Sequence, residues 1–249
     1  MYFHNIASGS KGNATIVVAN KTVILIDMGI SFVGLERGMS EIGLEPSQIT
    51  AAIFTHDHSD HYRGLKFISP KKCYALPGTL PSLCNEIELF KTFEIGDFKI
   101  TPLKTSHDAT NPCGYMLEDE QEKLVYITDT GEFLDCNLSY CKNPNYLIIE
   151  SNHDIQLEYK SRRPQILIDR ILSDHGHLCN EHSAYAALDI IGEKTSEIYL
   201  AHLSEEANTE EIALKAYREI FSEHNVDLSR ITIKCLQQCH STTGGHYEN

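Results

Sequence analysis

The segment Thr55-His56-Asp57-His58-Ser59-Asp60-His61 places three imidazoles and two carboxylates within seven residues. Neutral imidazoles suit zinc, iron and manganese, and carboxylates complete a mixed nitrogen and oxygen ligand set. In a loop leaving a strand, His56 and His58 can converge on one ion. Asp60 and His61 follow a tighter turn and can face a second. The bland alternative is a polar loop with capping aspartates. It leaves so many clustered imidazoles without compensation for burial.

Other metal-capable residues stand at or just after the ends of predicted apolar strands: Asp27, His107, Asp129, Glu150 and His202. Open sheets build sites by presenting strand-end residues to one crevice. A structural role explains one such residue and explains the whole set poorly. Taken singly, His107 and His202 remain open to a structural reading, and Asp129 could cap the turn before Gly131.

The elements that must position these residues follow from the apolar pattern. Ala14–Val18 and Val23–Asp27 are predicted as paired strands turning at Asn20–Lys21. Ser31–Ile42 carries Leu35, Met39 and Ile42 at helical spacing, closed by Gly43 and Pro46. Ala51–Thr55, Phe98–Thr105, Cys113–Leu117, Leu124–Thr128 and Tyr146–Glu150 are predicted strands. In the second half, Pro164–Leu172 is a predicted helix. A second helix should run from an Asn180 N-cap to about Ile191, and a third from a Thr209 cap to near His224. Ile198–Ala201 and Ile231–Leu236 complete the strands, and the tail Ser241–Asn249 is expected to be mobile. The alternation gives two βαβ-rich halves within a single domain spanning residues 1–249.

Hydrophobic residues make up 41% of the 249, enough for a substantial core. No run of about 18 apolar residues occurs, so no membrane-spanning helix is predicted. The opening MYFHNIASGSKGN lacks a basic and then apolar leader, and a cytoplasmic location is expected. The eight cysteines are scattered, and reduced thiols are the expected state. Cys235 and Cys239 beside His240 form a lone CxxxC pair without the second pair that a structural zinc site needs. The formal net charge of −14 argues against nucleic-acid binding by a broad basic face. Bound divalent cations are not counted in that sum and would dominate the local field.

The pattern His56-x-His58-x-Asp60-His61 resembles the ligand signature of the metallo-β-lactamase fold. His107 in LKTSHDA, Asp129 in YITDTG and His202 in YLAHLSEEAN resemble that fold's remaining ligands, in the same order. The resemblance implies a four-layer αββα sandwich of two pseudo-symmetric halves. It implies that His56, His58 and His107 hold one divalent ion, that Asp60, His61 and His202 hold another, and that Asp129 bridges them. Zn2+ and Mn2+ fit such a donor set, and Fe is also compatible. Two ions about 3.5–4 Å apart can share a water, bring its pKa toward neutrality, and stabilise charge on the attacked group.

Together SGSKGNA, HxHxDH, TDTG, ESNHD, GHLCNE and AHLSEEAN look like the YycJ/WalJ-type branch of this fold, which is associated with 5′ to 3′ exonuclease activity on DNA. The implied reaction is phosphodiester hydrolysis, with DNA as the partner and Asp60 in the reacting centre. His177 in the GHL segment resembles the histidine that acts on the scissile phosphate or leaving group. The structural alternative is a helix-entry histidine. Glu150 resembles the carboxylate that orients this histidine. Asn152 and His153 are candidate substrate contacts, against an Asx-turn with a solvent-facing histidine. Ser8, Ser10 and Asn13, in a Gly/Ser loop that also carries Lys11, are candidate anion contacts, against a plain turn. His175 stands where an arginine-like residue is expected, which implies weaker or pH-dependent phosphate affinity. The basic run Tyr159–Pro164 is equally a phosphate contact or a solvated helix start. A small-molecule hydrolase of a cyclic phosphodiester, lactone or thioester is the competing reading, and the acidic charge favours it. A non-catalytic binding module is the third.

Overall fold

The structure is a computed structural model that describes residues 1–81 and 84–246. The chain divides into two compact units. The first comprises residues 1–103, 109–122 and 236–249, and the second residues 104–108 and 123–235.

Unit 1 begins with an antiparallel set: β1 (Tyr2–Ala7), β2 (Ala14–Ala19) and β3 (Thr22–Ile26). Asn20 turns the β2–β3 hairpin at φ +49°, a backbone that asparagine tolerates. Helix α1 (Phe32–Glu41) starts at Ser31, whose hydroxyl accepts the Gly34 N–H. It buries Leu35 and Met39, the helical spacing seen in the sequence. Then come β4 (Ala51–Ile53), the short helix α2 (Ser59–Tyr62), β5 (Cys73–Ala75) and β6 (Asn85–Glu86). From β3 onward the neighbours pair in parallel, with Leu25 opposite Ala52 and Ile26 opposite Ile53. The strands β7 (Phe93–Ile95), β8 (Phe98–Lys104) and β9 (Cys113–Glu118) follow. The core of this unit gathers Ile16, Leu25, Leu35, Met39 and Phe54, all fully buried.

Unit 2 is built on four parallel strands: β10 (Lys123–Ile127), β11 (Tyr146–Glu150), β12 (Glu197–Ala201) and β13 (Thr232–Cys235). The segments Leu124–Ile127, Leu147–Ile149 and Ile198–Ala201 are buried throughout, as parallel strands covered on both faces must be. Five helices accompany them: α3 (Leu138–Cys141), α4 (Ile155–Lys160), α5 (Gln165–Ile171), α6 (Asn180–Ile190) and α7 (Glu210–Glu223). Within unit 1, β7 and β8 pair antiparallel, whereas within unit 2 β10 to β13 run parallel.

Three expectations are corrected. Asn180 is not the N-cap of α6. Cys179 holds that position, and the Asn180 side chain bonds Ser151 and Asn208 instead. The tail from Ser241 is not all loop: Thr242–Gly245 forms β14, antiparallel to β1. Residues 247–249 of that tail lie outside the described residues. Thirdly, a strand not expected from the sequence, β1, precedes the expected β2–β3 hairpin and pairs antiparallel with both β2 and β14. No described helix is long and apolar enough to cross a membrane. All eight cysteines are free thiols.

Candidate metal centre

In unit 1 the parallel register of β3 and β4 brings their C-terminal exits side by side. Asp27 is the first residue after β3, fully buried and at φ +59°. Its Oδ1 accepts the Thr55 N–H at 2.8 Å. Its Oδ2 accepts the Thr55 hydroxyl at 2.8 Å and lies 2.7 Å from His61 Nδ1. The Thr55 hydroxyl has one proton, which goes to Asp27, so its lone pairs are what His56 Nδ1–H meets at 3.0 Å. The network thus assigns the Nδ1–H tautomer to both histidines and leaves each Nε2 as the ligating nitrogen. The rings of His56 and His61 lie 4.0 Å apart, and His58, at the N-cap of α2, meets His56 edge-on at 4.7 Å.

Two backbone features hold this loop. Asn13 N–H donates to Asp60 O at 2.8 Å, and Met28 N–H to His61 O at 2.7 Å. Gly29 sits so close that a Cβ there would lie 1.5 Å from Asp60 O. The Asn13 amide reaches His61 Nε2 at 3.0 Å and also donates to Gly9 O at 3.1 Å and Asp60 O at 3.4 Å. A cation on Nε2 would compete with that amide proton. Asp60 is half-buried.

Unit 2 gathers a second cluster at the ends of its parallel strands. The register sets Ile127 beside Ile149 and Glu150 beside Ala201, so Asp129, Glu150 and His202 emerge together. Asp129 and His202 both take left-handed backbones, at φ +55° and +56°, as Asp27 does. Such conformations cost energy and concentrate at functional sites. Asp129 Oδ1 lies 3.5 Å from His202 Nδ1, 3.8 Å from His177 Nδ1 and 4.0 Å from His107 Nε2.

Glu150 is fully buried. Its Oε1 accepts from His177 Nδ1 at 2.8 Å and from His202 Nδ1 at 2.9 Å. Its Oε2 accepts the N–H groups of Thr130 at 2.8 Å and Leu178 at 3.3 Å. Burial by itself would raise its pKa. The neighbouring His177 charge and the bonds from both histidines outweigh that and hold the carboxyl well below the usual range. His107 Nδ1–H donates to Gly176 O at 2.9 Å, and burial depresses its pKa, favouring the neutral ligating form. A Cβ at Gly176 would lie 2.2 Å from Arg170 O, so the turn that supplies this carbonyl needs glycine. Ligand atoms of Asp129, Glu150, His177 and His202 all lie within 4.8 Å of one another.

The donor sets fit divalent metal. His56, His61, His107 and His202 each commit Nδ1 to an acceptor in their own unit and present Nε2, the arrangement of metal-ligating histidines. His177 also spends Nδ1 on Glu150, but its side chain is 15% exposed against 3% or less for His107 and His202. Of these three imidazoles it is the most exposed.

The remaining expected contacts fall in varied places. Ser10 is exposed, while Ser8 is buried and its N–H donates to Gln237 O at 3.0 Å. Asn152 is buried and its amide donates to His202 O at 2.7 Å. His153 is buried rather than solvent-facing, and desolvation pushes its imidazole down to about 4. The exposed His175 meets Ser106 Oγ at 2.9 Å. In the basic run, Arg163 bonds Glu158, Ser204 and Glu206. Cys235 is buried and Cys239 exposed, and neither belongs to a metal-competent group among the described residues. The sequence singled out Asp27 as a strand-end residue without giving it a task. The pairing of Asn180 with Asn208, which with Ser151 braces the turn after β11, was not read from the sequence, because its members lie far apart along the chain.

A β-lactamase superfamily domain matches residues 22–203. The exodeoxyribonuclease YycJ of Bacillus anthracis is 34% identical over 241 residues, covering 90% of each chain. The exodeoxyribonuclease WalJ of Streptococcus pneumoniae serotype 2 is 34% identical over 224 residues, covering 84% of this chain and 83% of WalJ. The metallo-β-lactamase-fold protein YhfI of Bacillus subtilis superposes with a TM-score of 0.70 at 15% identity, covering 98% of this chain and all of YhfI, which speaks to the fold alone. The chain therefore belongs to the β-lactamase superfamily, with the α/β metallo-β-lactamase fold, and is a metal-dependent hydrolase similar to the YycJ and WalJ exodeoxyribonucleases.

Proposed function

We propose that this protein is a dinuclear phosphodiesterase that degrades DNA as a 5′ to 3′ exonuclease. The observation that carries the reading is the shared orientation of His56, His61, His107 and His202, whose Nδ1 atoms are taken and whose Nε2 atoms are offered. His56, His58 and His107 would hold one ion, Asp60, His61 and His202 a second, with Asp129 bridging. Zinc or manganese suits the donors, with iron a third candidate. Bound there, the pair supplies Lewis acidity that lowers the pKa of a water and neutralises charge on the phosphate.

The chain's own residues divide the remaining work. Asp60 accepts the proton of the attacking water. His177, its Nδ1 anchored on Glu150, holds a proton at Nε2 and delivers it to the oxygen leaving phosphorus. The buried Glu150 carboxylate stabilises the imidazolium and fixes its tautomer. Asn13 and Asn152 hold the ligand loops. Ser8, Ser10 and the backbone of the loop they bracket, with His153, complete the substrate side. Residues 1–249 act as one domain, since unit 1 is assembled from three separate stretches. The reading places the enzyme with its DNA in the cytoplasm.

The test uses DNA labelled at either end, incubated with protein plus Mn2+ or Zn2+. Release of mononucleotide from the 5′ label first is expected. No degradation, or equal degradation by His58→Ala, discards the reading. The net charge of −14 favours the second reading, a hydrolase of small phosphodiesters. Turnover of bis(p-nitrophenyl) phosphate with intact DNA would establish it instead.

A further inference from the structure

Beside the metal loop, unit 1 carries a cleft of about 530 Å³ that the proposed chemistry does not use. Phe32 opens α1, and Phe67 ends the short turn Leu65–Phe67. Their rings lie 5.3 Å apart at 42°. Phe67 is 48% exposed and Val33 71%, a cost in water unless something covers them. The same cleft is lined by Lys11, Arg63 and Lys66 and, among the described residues, by no carboxylate. In a chain with 35 acidic and 21 basic residues, three cations lining one cleft are a local concentration of positive charge. Lys66 Nζ stands 5.0 Å from the Phe67 ring centroid. Aromatic face and positive charge are thus presented at one spot.

The cleft is fixed to the metal loop through backbone. Arg63 follows α2 directly, and its guanidinium donates to Gly29 O at 2.9 Å and to Lys11 O. Gly29 is the residue packed on Asp60 O, and Gly64 N–H donates to Met28 O at 2.7 Å. A ligand in the cleft therefore sits at a set distance from His58, Asp60 and His61.

We propose that this cleft is a stacking platform for single-stranded nucleic acid. A nucleobase lies on Phe67 beside Phe32, and Lys11, Arg63 and Lys66 receive the flanking phosphates. Aromatic faces combined with cations are how strands are held without sequence preference. The volume lies within the range of small-ligand pockets and suits a nucleotide. Charge complementarity selects a polyanion over a protein partner. The inference rests on the nuclease reading and deepens it: the strand enters the site unpaired, because a base must leave its duplex to reach Phe67.

The test is fluorescence anisotropy of a short oligothymidylate with the full-length protein in EDTA, so that binding is read without cleavage. Phe67→Ala should weaken binding about five- to 100-fold, and Phe67→Trp should restore it. Lys66→Glu, at an exposed side chain, should weaken it and flatten the salt dependence by about one phosphate contact. A duplex of equal length should bind more weakly than the strand. Native-like binding by Phe67→Ala and Lys66→Glu overturns the proposal, as does equal affinity for duplex. If the native protein cleaves DNA while Phe67→Ala binds normally, the platform alone is wrong. If the variants lose binding but the native protein cleaves nothing, the platform stands and the nuclease reading fails.

Discussion

Glu150 Oε1 lies 2.9 Å from His202 Nδ1, and the same oxygen lies 2.8 Å from His177 Nδ1. One buried carboxylate oxygen therefore orients a proposed metal ligand and a proposed proton donor together. Its other oxygen is filled by two backbone N–H groups. Glu150→Gln keeps the shape but turns an amide NH2 toward either the histidines or those N–H groups. Metal affinity should fall about 10- to 100-fold, and stability by about 3–5 kcal/mol. Chelator competition and urea denaturation measure the two, and unchanged values for both would refute the assignment.

Asp27→Asn separates charge from backbone. Asparagine tolerates the positive φ of this position, so the strand exit survives. The carboxylate that receives His61 Nδ1–H and both Thr55 donors does not. Metal affinity should fall about 10- to 100-fold with near-native secondary structure. Circular dichroism with metal titration checks it, and tight metal binding by the variant contradicts it.

His177→Ala should retain bound metal but lose about 100- to 10,000-fold in kcat on DNA. Bis(p-nitrophenyl) phosphate, whose leaving group needs no proton, should be far less affected. Equal losses on both substrates would remove His177 from the proton-donor role.

Gly29→Ala tests the packing under the metal loop. A Cβ there would lie 1.5 Å from Asp60 O and 2.7 Å from Asn13 N, and backbone on both sides leaves little room to yield. A loss of about 3 kcal/mol or more, with weakened metal binding, is expected. A thermal melt at the native temperature would show that the loop accommodates the methyl.

Burial pushes His153 down to about 4 from an ordinary 6.5, so the folded protein keeps it neutral where the unfolded chain binds a proton. Its contribution is intact above pH 6.5 and is lost as pH falls toward 4, at most about 3 kcal/mol. Urea unfolding of chelated protein at pH 7 and pH 5 should show this slope, and His153→Gln should reduce it. An identical slope in the variant would assign the acid sensitivity elsewhere.

The histidine-rich loop was legible because its donors are neighbours in the chain, and the strands were legible because continuous burial writes itself as Val, Ile and Leu. Thr209 as a cap and Ser31 as a helix start were readable for the same reason, since each acts on residues three positions away. Asn180 misled because a capping residue type also serves in side-chain networks, and here Ser151 and Asn208 claim it. The β14 strand was missed because TTGG has no apolar face, and its pairing with β1 is supplied by backbone across the length of the chain.

Residue type and order determined the fold family and the class of chemistry, and pointed to the proposed ligands. Tertiary structure alone decided that Asp27 serves His61, that Glu150 serves two histidines, and that Phe32 and Phe67 share a cleft with three cations. The physical reason is that hydrogen bonds and ring contacts depend on distances of a few ångströms. Between residues dozens of positions apart, parallel strand register and left-handed turns set those distances, and neither is written in local composition.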